Sequence, residues 1–206
     1  MTADPITEPV NTPQEQDPID MLAALDEAAG HVLRAEFIEG TATLVPPSDR
    51  QHNFGAFLLA MQLHSAGLTL AGIGDGYTTR LKEDGLRDLI IPDFAVLSRK
   101  PTDTDEEYRK DHRGWYSIDL VTLAGEITSS NHESDTGPKY RSYAAVGVPV
   151  YVLIHRLRRK AFAFSDPVQD ENPVKSRYAT KVEVDLGMRL PLPDPYPVLD
   201  TSALRP

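Results

Sequence analysis

Apolar residues recur every three to four positions in three stretches of the chain, and elsewhere they alternate or run together. That pattern predicts a sheet protein carrying a few helices. "IDMLAALDEAAG" puts Ile19, Leu22, Ala23 and Leu25 at helical spacing, with Gly30 as a C-cap. "HVLRAEFIEGTATLVP" is patterned as a hairpin turning at Glu39-Gly40. Ser48 or Asp49 can then cap an amphipathic helix, "RQHNFGAFLLAMQLHSAG", that closes at Gly67. Gly74-Asp75-Gly76 predicts a second hairpin within "LTLAGIGDGYTTRL". "DLIIPDFAVLS" is patterned as one strand, at an edge or a bulge because of Pro92.

Residues 99–114 are polar and predict a loop, whereas "WYSIDLVTLAGEI" is a long β-rich run that predicts a central strand. "DTGPKYRSYAAVG" predicts a helix capped by Ser134 or Asp135, with Pro138 in its first turn and Gly147 at its end. "VPVYVLI", "KAFAFS" and "RYATKVEVD" predict three more strands, the first two joined by the basic turn "HRLRRK" at 155–160. The order predicts an α/β (α+β) protein, a mixed β-sheet flanked by helices. Residues 1–17 are expected as a disordered acidic tail, 18–195 as a single domain and 196–206 as a C-terminal tail.

Composition narrows the chemistry. A chain of 206 residues with 40% hydrophobic content suits one domain with a substantial core. With no cysteine, disulfides, thiolate metal sites and cysteine nucleophiles are excluded. No stretch approaches the roughly 18 apolar residues of a membrane span, and the N-terminus lacks the regions of a signal peptide; a cytoplasmic location and no membrane partner are expected. A net charge of −10 argues against a nucleic-acid partner until its distribution is considered. Residues 1–30 hold seven acids and no Lys or Arg, which leaves 24 acidic against 21 basic residues, a formal −3, for the rest. Arg156, Arg158, Arg159 and Lys160 form a basic cluster that could track a phosphate backbone or simply solvate a turn.

The predicted central strand ends on Glu126, where an α/β sheet commonly presents its ligand site. Asp93 follows Pro92 in the preceding strand, so pairing of the two strands would bring both carboxylates to one side. Paired carboxylates repel, and a divalent cation relieves the repulsion. Mg²⁺ held this way suits phosphodiester hydrolysis. Glu126 could instead cap the next helix or pair with Arg141. Asp135 and Lys139, at i,i+4, could be an exposed pair worth about 0.3 kcal/mol. "GIGDG" lacks the Lys-Ser/Thr pair of a phosphate loop.

"AEFIEG", "PPSDRQHNFGAFLLAMQL", "IIPDFAVL" and "AGEITSS" followed by "KYRSYAAVGVPVYVLI" together resemble the Uma-two family, assigned as restriction endonucleases within the PD-(D/E)xK nuclease superfamily. The resemblance spans roughly residues 30–190. It implies a restriction-endonuclease-like fold, a Mg²⁺ cofactor for which Mn²⁺ can substitute, and cleavage of nucleic acid, expected to be DNA. By resemblance, Asp93 and Glu126 are the metal carboxylates, the Ile127 carbonyl a third ligand and Lys139 a displaced catalytic lysine. Glu36 is an auxiliary acid, with His52 and Asp135 in support. The superfamily's E-x-K lysine would fall at 128, which is Thr128 here, and Ser130 stands where the family usually has Ser-Pro. The missing lysine motivates an alternative, a catalytically inactive nuclease-like module that binds nucleic acid or a protein partner. A small-molecule hydrolase using the same carboxylates is a third reading. Cutting both strands of a duplex commonly uses two sites, so a homodimer is expected.

Overall fold

The apolar run Val121–Ile127 lies at the centre of the fold as a strand buried on both faces along nearly its whole length. The structure, a computed structural model, describes residues 17–28, 35–44, 48–80, 87–128 and 132–204. In chain order its first half comprises α1 (Pro18–Ala28), β1 (Ala35–Ile38), β2 (Thr41–Leu44), α2 (Arg50–Ser65), β3 (Ala71–Gly72), β4 (Tyr77–Thr78), β5 (Leu89–Ile90), β6 (Phe94–Leu97) and α3 (Asp103–Asp111). The second half comprises β7 (Tyr116–Ser117), β8 (Val121–Ile127), α4 (His132–Thr136), α5 (Pro138–Ala145), β9 (Val150–His155), β10 (Lys160–Val168), β11 (Arg177–Asp185), β12 (Arg189–Leu190) and β13 (Leu199–Asp200).

Among the described residues these strands form three sheets: a six-stranded sheet ordered β11-β10-β9-β8-β6-β3, a five-stranded sheet ordered β2-β1-β5-β4-β7, and the pair β12-β13. The six-stranded sheet is mixed, because β8 pairs β9 in parallel and β6 antiparallel. The parallel crossover carries α4 and α5, as a parallel connection requires.

Strand alternation sorts the core into layers. Phe94, Val96, Leu123, Ile127, Val150, Val152 and Ile154 face α2, whose Ala56, Leu59, Ala60 and Leu63 recur at helical spacing. Ala95, Ala124, Tyr151, Leu153 and Phe162 face the other way, toward Tyr143 and Ala144 of α5 and toward Ile38, Tyr77 and Ile90 of the smaller sheet. A third cluster seats Ile19 and Leu22 of α1 on Phe37 and Leu89.

The predicted turn at Glu39-Gly40 is present, with φ of 49° and 80° as a two-residue hairpin requires. Asp49, of the two candidates, caps α2 by accepting the His52 N–H at 2.8 Å. Gly30, the expected cap of α1, lies outside the described residues, as do residues 1–16. Asp17 is not tail: its carboxylate accepts the Ile19 N–H at 2.9 Å at the start of α1.

Five expectations are corrected. The Gly74-Asp75-Gly76 segment is not a hairpin turn, because β3 joins β6 in the larger sheet while β4 joins β5 in the smaller. It crosses between sheets, with Trp115 packed so close to Gly76 that an added Cβ would collide with the ring. The strand expected through Pro92 is two strands in two sheets, neither at an edge. Proline has no N–H for the ladder and so breaks the run at Ile91-Pro92-Asp93.

The expected loop 99–114 contains α3, started by a reciprocal capping box between Thr102 and Asp105. Residues 196–204 are not a trailing tail. Leu199 is fully buried beside Leu190, and Gln62 of α2 makes two bonds to the Asp200 backbone, at 2.9 and 2.7 Å. The helix expected from Ser134 onward is also divided, with α5 starting after Gly137, which provides no side-chain cap, and carrying Pro138 in its first turn.

Gly125 has no Cβ for a packing reason. Phe94, directly opposite on β6, covers its α-carbon so closely that a methyl group would overlap the ring. Gly125→Ala is therefore expected to destabilise the protein by about 1–3 kcal/mol through overpacking. At about 2–4 °C per kcal/mol for a chain of this size, a thermal melt will read the loss.

Candidate active site at the ends of the central strands

The register Phe94↔Gly125, extended by one residue, sets Asp93 opposite Glu126. Two bonds fix this end: the Asp93 N–H donates to Gly125 O at 3.0 Å, and the Ile127 N–H donates to Asp93 Oδ2 at 2.7 Å. Directly opposed residues share a face of the sheet, here the face covered by α5.

Proline at 92 has a second consequence. With the ladder broken, the Ile91 backbone serves the site: its N–H donates to Glu36 Oε1 at 2.7 Å and its carbonyl accepts from Lys139 Nζ at 3.3 Å. Glu36 arrives on β1 of the other sheet and is buried, although a strand Glu beside a turn is commonly solvated.

Lys139 is the hub. Its ammonium lies 2.9 Å from Glu36 Oε1, 3.1 Å from Glu126 Oε1 and 3.9 Å from Asp135 Oδ1, and the residue is 5% exposed. The exposed i,i+4 alternative therefore does not describe it, since Asp135 is the most distant of its three acids. Arg141 is not Glu126's partner either; it holds Glu39 through two bonds of 2.7 Å. His52, on the first turn of α2, contacts Asp93 Oδ2 through Nε2 at 3.0 Å. Its Nδ1 is buried with no partner among the described residues.

Two tyrosines complete the cluster. Tyr143 donates to Glu126 Oε1 at 2.9 Å, and Tyr151 donates to the Asp135 carbonyl at 2.8 Å. Sequence reasoning assigned Tyr143 no part in the site. Its signal was spacing: Tyr143 lies four residues after Lys139, so one helix face presents both to Glu126.

Negative charge is in surplus here. Burial pushes the Glu126 carboxyl well up, Lys139 opposes this, and Asp93, Asp135 and Glu36 add to it. Burial likewise raises Asp135 to about 6 against the pull of Lys139. Burial disfavours the charged Lys139, but Glu126, Glu36, Asp135 and Asp93 outweigh it, so the amine stays protonated at any ordinary pH. One buried ammonium thus faces several carboxylates, and unless a second cation is present some of that charge is carried as bound protons.

His52 shows the same field. Burial opposes the imidazolium, yet the bond and charge of Asp93 raise its pKa above 6.5. In metal-free protein its contribution to stability is complete below about 6.5 and is lost as pH rises through the raised value. Asp93→Asn is expected to lower the His52 pKa, as an NMR titration of the ring will read.

Of the predicted nucleic-acid contacts, Arg156 is held by Asp49 at 2.7 Å and Gln51 at 3.3 Å, and Lys160 by Asp185 at 2.8 Å. Arg159 sits at φ 54° in the turn. Arg158 is exposed. The basic cluster is thus partly neutralised by its own protein.

Among the described residues, no three acids or histidines form a preassembled metal cage. The donor set is of a sparser kind. Asp93 and Glu126 face each other, and their described bonds fall on Oδ2 and Oε1 only. Mg²⁺ commonly takes one or two carboxylates and fills its remaining positions with water, so these residues fit such an ion.

Among the described residues, no helix is long and apolar enough to cross a membrane. No curated protein matches the chain. Among solved structures, a protein from Anabaena variabilis described as "a putative nuclease belonging to DUF820" is similar at 16% identity. It covers 82% of this chain and 88% of its own, with a TM-score of 0.55, so the two share a fold. Residues 20–200 match the Uma2 family, described as "Putative restriction endonuclease", and the chain belongs to that family.

Proposed function

We propose that the protein is a Mg²⁺-dependent endonuclease that hydrolyses phosphodiester bonds, with DNA as substrate. The observation that carries this reading is the juxtaposition of Asp93 and Glu126 at the ends of paired strands, with the Lys139 ammonium 3.1 Å from Glu126. Family membership and the Anabaena neighbour, itself described as a nuclease, support it.

Asp93 and Glu126, with the Ile127 carbonyl, would hold the ion. When bound, it would supply Lewis-acid polarisation of the phosphate and a lowered pKa for a coordinated water. The protein's own groups do the remaining work. Lys139 holds Glu126 in place and offsets negative charge that grows on the phosphate oxygens. His52 and the Ile127 N–H fix Asp93 from two directions, and Tyr143 orients Glu126. Glu36 sets the height of Lys139, while Asp135 adds to the field that keeps it charged. The lysine absent at 128, which motivated the inactive-module alternative, has a substitute in Lys139. Thr128 has another task, accepting the Arg156 N–H at 3.0 Å.

Purified protein is expected to cut plasmid or single-stranded DNA with Mg²⁺ or Mn²⁺ and to leave it intact in EDTA. Intact DNA and RNA under every condition, with a flat metal titration, would instead favour the inactive module.

A further inference from the structure

Beside the carboxylate cluster, on the same face of the larger sheet, lies a cleft of about 220 Å³ lined by Thr136, Tyr140, Leu153, Arg158, Phe162 and Lys181 among others. Its position follows from register. Glu126 pairs with Leu153, and Leu153 pairs with Phe162, so Asp93, Glu126, Leu153 and Phe162 form one row across four adjacent strands. At about 4.8 Å per strand, Phe162 lies about 10 Å from Glu126. The helical segment above serves both places: Asp135 and Lys139 face the acids, and their chain neighbours Thr136 and Tyr140 line the cleft.

The lining combines two chemistries. Phe162 and Phe164 lie with rings 5.9 Å apart and nearly parallel, and Tyr140 meets Phe164 edge-on at 5.0 Å. Phe164, unlike Phe162, is only half-buried and lines the cleft, with Tyr151 and Tyr178 also packed around its ring. Lys181 stands over Phe162 at 5.0 Å and pairs with Glu183 at 2.8 Å, so it is partly neutralised, while Arg158 is exposed and lines the same cleft. Aromatic surface together with cations is how proteins bind an unpaired nucleotide, the base stacking and the phosphate meeting positive charge. At 220 Å³ the cleft is smaller than the roughly 300–1,000 Å³ of small-molecule pockets. A distance of about 10 Å from Glu126 is about three stacked nucleotides at 3.4 Å each.

We propose that this cleft is a subsite for one unpaired base of the substrate strand, a few nucleotides from the bond that is cut, with Arg158 and Lys181 holding the adjoining phosphate. The inference rests on the nuclease reading and adds to it a preference for strands with an unstacked base near the cleavage position.

The test is binding of a short single-stranded DNA carrying one 2-aminopurine, measured in EDTA so that nothing is cut. Wild type is expected to quench the fluorophore, and Phe164→Ala to bind about 5- to 150-fold more weakly with the quench lost. Phe164→Leu, which keeps apolar volume and removes the aromatic face, is expected to behave alike while remaining folded, with its melting temperature lowered by several degrees through the lost ring contacts. Arg158→Ala/Lys181→Ala is expected to flatten the salt dependence of binding, by about 0.7 in log–log slope for each phosphate no longer neutralised. Unquenched fluorophore with wild-type protein that does cut DNA would overturn the subsite and leave the nuclease reading standing. Protein that neither cuts nor binds any strand would overturn both.

Discussion

Lys139→Met is expected to abolish cleavage and to destabilise the fold by about 3–5 kcal/mol, the cost of leaving buried charge without its partner. An exposed i,i+4 pair with Asp135 would cost about 0.3 kcal/mol instead, so the measurement separates the two readings by an order of magnitude. The larger figure follows from position: the ammonium is buried within 3.1 Å of both Glu36 and Glu126 and also holds the Ile91 carbonyl. The pH dependence supplies a further check. Without Lys139 the raised carboxyl pKa values rise further, so the folded variant binds more protons than the unfolded chain. Its stability therefore falls as pH rises through the acidic range toward neutrality. A simple packing defect would lower stability by the same amount at every pH. Thermal melts of the variant in EDTA across that range decide the matter.

Asp93→Asn is the second large effect, and it acts on activity rather than on stability. Cleavage is expected to fall about 10³-fold or more, since several kcal/mol of transition-state stabilisation depend on the ion it would hold and each 1.36 kcal/mol is tenfold. The fold should tolerate the change. Asparagine retains an acceptor for the Ile127 N–H, and removing one charge from a crowded cluster relieves repulsion on Glu126. A melting temperature within a few degrees of wild type in EDTA, together with lost cleavage, is the expected result. Large loss of stability with proportionate loss of activity would instead make Asp93 a structural acid.

Much of this was legible in the chain because burial leaves a pattern. Val121–Ile127 is an unbroken apolar run because β8 is covered on both faces, and the charged residue within it, Glu126, stands out for that reason. Asp49 and Gly40 were legible from the backbone geometry that caps and tight turns demand. What escaped reading was long-range or locally ambiguous. The apolar residues on either side of Pro92 suit one strand as well as two, and only pairing reveals that β5 and β6 belong to different sheets. Helix α3 buries no residue fully, so hydrophobic periodicity could not find it, although Thr102 and Asp105 carried its start signal. Glu36 comes to Lys139 from a strand about a hundred residues earlier, and nothing local in "AEFIEG" reports that contact. The cleft beside the acids depends on the register of three strands and is likewise invisible until they pair.

The central claim is that Asp93 and Glu126 form a divalent-cation site. Calorimetric titration of Mn²⁺ into wild type and into Asp93→Asn/Glu126→Gln tests it most directly, because neither substitution changes side-chain shape. Saturable binding in wild type that is absent from the double variant is the predicted result. Heat that is flat in wild type, or unchanged in the variant, would contradict the claim and return Glu126 to the role of a buried structural acid.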